Sequence, residues 1–568
     1  MLFFNGNLSE EFSINRGVRQ GCPLSPILFN LFINDVLDNC DKYGVNLESQ
    51  YCCGGLFADD IVLVAPSKQA LKKILNKVHE WAIKNEMTFG INKCATLVVK
   101  PINFVKPINY EDPSFFIGSN KLPKTDNYTY LGIPFDESLS LKPIQSKLNS
   151  NLNVKLNSYF RFLINKSIPL PLKKYVLISF ILSLVLYYAP LFGSNKNRCS
   201  KAQKIINRGL YWSYGFKSRN SYVSLYDITR ELRIPPLSAI CAISQLRCFR
   251  KWKNSSCIIN HLTNNIPTMS HYSWTKESRT LDKKLNGKRT SEIKKFYWER
   301  DVFKPSKAKK AIIYKENDFG FISEIKDLTF QYPKYQLGFF WISRIRCGFK
   351  FDISISIKRK IVSEDCPKCC PCCGVSVPSF SHWIFACKEL ENYRNKSLPF
   401  LDDLFLKFAM IIVQKSLDVS TDSEKDYDNN IYYFILSALL GGRSIYEKIK
   451  LNDGEQRQLV DNIFKQSSTS STVPYFVGIA EFLTNVIPLI CRSFRLMMKW
   501  YSVESIESTV AKSVDVEMIR HGFSPPGERS DTDSVDNTNT EIIALNNGRG
   551  VIIDEWEKLE TIASNALL

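Results

Sequence analysis

Gly17-Val18-Arg19-Gln20-Gly21-Cys22-Pro23-Leu24-Ser25-Pro26, followed some forty positions later by Phe57-Ala58-Asp59-Asp60, carries the reading of this 568-residue chain. Two adjacent aspartates alone mean little: at about 5% usage each, such a pair turns up about once by chance at this length. Their setting says more. Gln50-Tyr51-Cys52-Cys53 and Ile61-Val62-Leu63-Val64-Ala65 are β-prone runs flanking Gly54-Gly55, the pattern of a strand, a tight turn and a returning strand. The reading places both carboxylates at a hairpin tip, within reach of phosphate-bound Mg²⁺. That ion prefers hard oxygen ligands and takes one or two carboxylates plus phosphates and water.

With these residues in view, the chain resembles the reverse transcriptases of LINE-type, non-LTR retrotransposons. Gly17 through Pro26 with Phe29-Asn30 is similar to their G-V-R-Q-G-C-P-L-S-P…F-N block, and Phe57-Ala58-Asp59-Asp60 to their [YF]-A-D-D box. Gly90 with Asn92-Lys93-Cys94 resembles the next block, with a shorter Asn-to-Lys spacing, and Tyr130-Leu131-Gly132-Ile133-Pro134-Phe135 resembles the Y-L-G-x-x-F turn at the palm–thumb junction. The resemblance implies that Asp59 and Asp60 hold Mg²⁺ (or Mn²⁺) and are catalytic. It also implies that Arg19, Gln20, Gly21, Ser25, Phe57 and Lys93 line the nucleotide and template site. In two-metal phosphoryl transfer one ion activates the attacking hydroxyl and the other stabilises the leaving group.

The family places another catalytic aspartate upstream of the Gly17 block, whereas residues 1–16 here read as a hairpin: Leu2-Phe3-Phe4, a turn at Asn5-Gly6, and a return through Phe12-Ser13-Ile14. Glu10 and Glu11 sit on the turn side of that hairpin, and Asp35 and Asp38 are expected on a solvated helix after Pro26. The expectation is a palm entered mid-domain, with weak metal binding and little or no polymerase activity in the chain as written.

A formal charge of +19 and a pI near 9.1 point to an anionic partner, and nucleic acid fits better than a membrane surface. Seventeen cysteines without a signal sequence read as reduced and intracellular. The uncharged run Tyr175 to Phe192 nearly reaches transmembrane length. The family's apolar thumb helix, buried on all sides, is the preferred reading, and a membrane anchor at 175–192 the rival. Lys201 to Tyr214, with Arg208, Tyr211 and Trp212, offers basic and aromatic groups for a template strand. From about Ile266 to Ala311 lysine pairs cluster with Tyr297 and Trp298, as a solvated connector or a nucleic-acid contact.

A second constellation is Cys366-Pro367-Lys368-Cys369-Cys370-Pro371-Cys372-Cys373-Gly374 with His382 and Cys387. Taking Cys370, Cys373, His382 and Cys387 gives C-x2-C-x8-H-x4-C, a donor set and spacing suited to structural Zn²⁺. Cys369 with Cys372, or Cys366 with Cys369, also fits the first pair. LINE-type proteins carry a similar knuckle after the thumb, preceded by an R-x-R-x-G-like run that resembles Arg344-Ile345-Arg346-Cys347-Gly348. Farther on, Phe400 to Gln414 and Tyr432 to Leu440 read as helices, Val473 to Trp500 as a packed helix pair interrupted at Glu481, Asn485 and Pro488, and the polar, acidic tail as disordered.

The fold expectation is α+β. It comprises a partial polymerase palm of antiparallel sheet and helices at 1–140, a helical thumb at 141–265 and a basic connector at 266–340, then a CCHC zinc knuckle at 341–395, a helical domain at 396–501 and a tail at 502–568. The functional expectation is RNA-directed DNA polymerase with RNA template, DNA primer or target and dNTPs, acting in the nucleus after a cytoplasmic ribonucleoprotein stage. The alternative is a catalytically dead nucleic-acid-binding remnant.

Overall fold

A computed structural model describes residues 3–4, 6–8, 10, 17–47, 50–101, 103–217, 223–264, 274–302, 328–349, 357, 362–375, 379–399, 401 and 475–501. The chain divides into two compact units, Met1–Leu148 with Cys248–Lys276, and Asn149–Arg247 with Glu277–Leu568.

The first unit opens on strands β1 (Phe3–Phe4) and β2 (Asn7–Leu8), with Gly6 between them at φ +82°, where a side chain would be strained. Helix α1 spans Ser25–Phe32 with Pro26 in its first turn, where the missing N–H costs no hydrogen bond. It ends at Phe32, so Asp35 and Asp38 lie in the turns beyond it and not on a helix. Both are exposed, and Asp35 accepts a 2.8 Å hydrogen bond from Trp81 Nε1. Strands β3 (Val45–Asn46) and β4 (Tyr51–Cys52) pair with each other, and β5 (Gly54–Phe57) pairs with β6 (Asp60–Leu63). Gly54 and Gly55, expected at a turn, are therefore strand residues. A Cβ on Gly54 would meet the Val62 carbonyl oxygen at 2.1 Å, which explains glycine there.

Helix α2 (Lys68–Lys84) starts where Ser67 Oγ accepts a hydrogen bond from Ala70 N at 3.2 Å. Its buried face splits between two small cores. Ile74 and Val78 close over Val36, Cys40 and Cys53, and Leu75 joins Phe115, Ile117 and Leu122. Strands β7 (Phe116–Ile117) with β8 (Asn120–Lys121), and β9 (Asn127–Tyr130) with β10 (Ile133–Asp136), complete the set. Among the described residues the strands form five separate two-stranded sheets, antiparallel as expected. Strands of two to four residues leave few backbone groups for further partners.

The second unit is helical. Helix α3 (Lys142–Ser158) leads into it, followed by α4 (Phe160–Ile164) and α5 (Leu170–Val176), a π-helical segment at Leu177–Leu182, then α6 (Ser183–Leu186) and α7 (Ala189–Phe192). Val176, Leu177, Ile181, Leu182, Val185, Ala189 and Phe192 are buried, while Tyr175, Ile178, Phe180, Leu186 and Tyr187 are exposed. The run expected to be buried on all sides thus has one covered face and one open one. Helices α8 (Lys196–Ser213), α9 (Leu225–Glu231) and α10 (Leu237–Lys253) follow, then α11 (Ile258–Asn264), which belongs to the first unit.

Within the expected connector, α12 (Trp274–Leu285) and α13 (Thr290–Tyr297) are folded: Leu281, Leu285, Ile293 and Tyr297 pack with Ala239, Ala242 and Leu246 of α10. Two further helices, Gln336–Arg346 and Tyr475–Trp500, lie against each other. A Cβ on Gly338 would fall 1.8 Å from the Ala480 carbonyl oxygen, and Gly338 N donates to Thr484 Oγ1 at 3.0 Å, so the two backbones approach closely. The expected helix pair over 473–500 is one helix that continues through Pro488. Its Val477–Trp500 stretch is the one helix among the described residues long and apolar enough to cross a membrane, with 56% of that stretch's apolar window buried. The helices expected at 400–414 and 432–440, and the tail from 502, lie outside the described residues apart from Leu401.

Candidate active site and metal centre

The β5–β6 hairpin pairs Gly54 with Leu63, Gly55 with Val62, Leu56 with Ile61 and Phe57 with Asp60, leaving Ala58 and Asp59 as a two-residue turn. Two-residue turns match strand twist when the first turn residue has positive φ, and Ala58 takes φ +51°. A non-glycine residue there is strained, and such strain gathers where function demands a particular backbone path. The consequence is a tip on which Asp59 and Asp60 are both solvent-exposed, beside a Phe57 that is 63% exposed.

Tyr130 links this tip to the next hairpin. Burial first, then the negative charge of Asp60, raises its phenol pKa, which places Asp60 within electrostatic reach. Tyr130 ends β9, and the β9–β10 turn is built on Leu131 at φ +46° and Gly132 at φ +77°. Tyr128, on the same strand, donates to the Lys93 carbonyl oxygen at 3.0 Å, and the Lys93 side chain is exposed. Strand β9 thus gathers Lys93 and Asp60, two groups whose relation spacing alone did not reveal.

The Gly17–Pro26 segment is a loop leading into α1. Gly17 and Gly21 have φ of +95° and +83°, and Arg19, Gln20 and Gly21 are exposed. Ser25, by contrast, is buried, and its Oγ donates to the Arg19 carbonyl oxygen at 2.6 Å. Its side chain therefore shapes the loop and does not point to solvent.

The second constellation closes around four ligand atoms. The thiol sulfurs of Cys370, Cys373 and Cys387 and a ring nitrogen of His382 all lie within 4.8 Å of one another. A tetrahedron with metal–sulfur arms of about 2.3 Å has edges of about 3.8 Å, so the donors need to draw in by no more than about an ångström. Cys373 Sγ and His382 Nε2 are already 3.2 Å apart. The frame is local: Gly374 N donates to Cys370 O, Cys387 N to His382 O, and His382 N to Ser379 Oγ. Arg394 holds the far end by donating to the carbonyl oxygens of Cys387 and Trp383. Hydrogen bonds from Cys372 and Cys387 favour the thiolate at Cys370 and hold its pKa far below the usual thiol range. Cys372 is buried against Cys370 but outside the four-atom group, and burial pushes the pKa of Cys366 up to about 12.

Elsewhere the structure redirects the sequence reading. Tyr211 and Trp212 of α8 are buried and unavailable for stacking on bases, although Lys201 and Lys204 remain exposed. Arg344 and Arg346 are buried too. The Arg344 guanidinium stacks 4.0 Å from the ring centre of Phe349 and 4.4 Å from those of Phe216 and Trp341. Arg346 Nη2 lies 3.0 Å from Glu231 Oε2 in an ion pair almost wholly out of water. This run therefore ties the 336–346 helix to α9.

Residues 1–135 match the family described as reverse transcriptase (RNA-dependent DNA polymerase). The chain is 36% identical over 135 residues to the retrovirus-related Pol polyprotein from the type-2 retrotransposable element R2DM of Drosophila melanogaster, covering 23% of this chain and 13% of that protein. It is 32% identical over 139 residues to the Pol polyprotein from the type-1 retrotransposable element R2 of Nasonia vitripennis, covering 24% and 13%. Over 149 residues it is 28% identical to the RNA-directed DNA polymerase from the mobile element jockey of Drosophila funebris, covering 25% and 15%. The matches thus span less than a sixth of each of these relatives.

Proposed function

We propose that this chain, whose residues 1–135 match the reverse transcriptase family, acts as the RNA-directed DNA polymerase of a non-LTR retrotransposon, with Asp59 and Asp60 as its catalytic carboxylates. The observation that carries the reading is the strained β5–β6 tip, which presents both carboxylates to solvent beside Phe57. An exposed carboxylate pair suits Mg²⁺, which completes its shell with substrate phosphates and water. Bound there, the ion supplies charge neutralisation on the transferring phosphate. The chain's own residues do the positioning. Gly17 and Gly21 set the loop whose Arg19 and Gln20 face solvent, and Lys93 offers a cation near strand β9 for substrate phosphates.

Primer extension on a homopolymeric RNA template with the 568-residue chain tests this. At most weak incorporation by the unaltered chain, falling to background in both Asp59→Ala and Asp60→Ala, is the expected result, and incorporation unaffected by either change sinks it. A second reading, nucleic-acid binding without synthesis, is favoured by one observation. Among the described residues no further acidic, histidine or cysteine side chain joins Asp59 and Asp60 in a ligand group. Template–primer binding with no incorporation would support it.

For the Cys370, Cys373, His382 and Cys387 group we propose a structural Zn²⁺ site. Three thiols and an imidazole suit it as a donor set, and Cys370, His382 and Cys387 are buried while Cys373 is half-buried.

A further inference from the structure

Between Glu137 and Asp227 the chain carries fourteen lysines and arginines and no aspartate or glutamate. This stretch therefore holds most of the excess positive charge, and α3 through α8 lie within it. It also displays aromatic side chains to solvent: Tyr175 is 62% exposed, Phe180 40% and Tyr187 54%. The reason is the π-helical segment Leu177–Leu182. Its wider turn brings a residue five positions on close to the same face, and the rings of Tyr175 and Phe180 meet edge-on at 6.4 Å. Just after α3, Tyr159 lies 5.5 Å from Phe180, and the ammonium of Lys155 on α3 sits 5.6 Å and 5.8 Å from the centres of those two rings.

We infer that this surface binds single-stranded nucleic acid, with unstacked bases on Tyr175, Phe180 and Tyr187 and the backbone phosphates tracked by Lys155 and the neighbouring cations. Aromatic faces in a positive field are the sequence-tolerant platform for single strands, whereas a duplex keeps its base faces stacked inward. Tyr175 and Tyr187 are twelve positions apart, about 18 Å along a helical path, room for several nucleotides. A stretch that contributes no acids of its own, with the Lys155 ammonium already over the rings, complements a polyanion. The inference rests on the nucleic-acid reading of the chain but not on its polymerase chemistry.

Fluorescence anisotropy with a labelled single-stranded oligouridylate and a duplex of equal length, at about 0.2 M salt to weaken non-specific phosphate contacts, tests it. Tyr175→Ala and Phe180→Ala should each weaken single-strand binding by about five- to 150-fold and affect the duplex less. Tyr175→Phe should restore it, and Lys155→Ala should flatten the salt dependence by about one phosphate contact. Photocrosslinking of iodouridine-substituted RNA to the unaltered chain reads the same surface without any variant. Crosslinks at Tyr175, Phe180 or Tyr187 support the inference, and crosslinks confined to other regions overturn it. Unchanged single-strand affinity in variants with unaltered circular dichroism also overturns it, as does loss of binding to phosphatidylserine vesicles with oligonucleotide binding intact. Loss of incorporation in Asp59→Ala, read separately, speaks only to the polymerase reading.

Discussion

Replacing Arg346 by methionine is expected to destabilise the second unit by about 3–5 kcal/mol, the cost of removing one partner of a buried ion pair. The estimate belongs at the upper end of that range for a structural reason. Arg346 is fully buried and Glu231 nearly so, their charged atoms are 3.0 Å apart, and Ser343 Oγ adds a 3.5 Å contact to Glu231. Asp227, one helical turn earlier on α9, is buried as well, and neither of its oxygens has a hydrogen-bond partner among the described residues. Without Arg346 two buried acids share that interior and the 3.0 Å ion pair to Glu231 is lost. The double replacement Glu231→Leu with Arg346→Met removes both charges and should cost far less than the sum of the single changes, since apolar side chains of similar volume often replace a buried pair at little cost. Urea titrations of the two single variants and the double, followed by circular dichroism at pH 7, give the coupling directly. A cost below about 1 kcal/mol for Arg346→Met, or additive single effects, would refute the claim that this pair anchors the 336–346 helix to α9.

Two further outcomes follow from other parts of the chain. His382→Ala should lower the zinc bound to purified protein below one ion per chain and make the 366–398 region more sensitive to chelator and protease, and an unchanged metal content would exclude the proposed site. Burial, and then the charge of Glu231, raises the Asp227 pKa well above the ordinary carboxylate range, so the folded state holds its proton more tightly than the unfolded chain does. The stability this confers is complete below the unfolded-state pKa of about 4 and declines as pH rises from there toward the raised folded value. Asp227→Asn, which needs no proton uptake on folding, should remove that slope and melt higher than the parent at pH 7 but not at pH 4. Parallel melting curves at both pH values would count against it.

Much of the candidate site was legible before any coordinates, because turns and metal clusters are written in local spacing. The β-prone runs foretold a hairpin carrying Asp59 and Asp60 but put its turn at Gly54-Gly55, where the structure has it at Ala58-Asp59, and Cys370, Cys373, His382 and Cys387 need only a tight knuckle and a short helical segment between His382 and Cys387. Spacing left the first pair open among the crowded cysteines, and in space it is Cys370 and Cys373 that converge with His382 and Cys387. What spacing missed was which face of a helix meets a neighbour. Tyr211 and Trp212 are buried, the run from Tyr175 to Phe192 has an open side, and the arginines of Arg344-Ile345-Arg346 turn inward. An apolar or basic pattern fixes the period of a helix but not how many of its faces are covered.

The sequence by itself determined the motif order, the excess of positive charge and the residue types able to hold metal, since these depend on composition and on neighbours within about ten positions. Only the tertiary structure decided that Asp60 lies in the electrostatic reach of Tyr130, that Glu231 and Arg346 form a pair over a hundred positions apart, and that Lys155 meets Phe180. Contacts between distant segments are chosen by packing and by the desolvation of the groups brought together, and neither quantity is carried by local spacing.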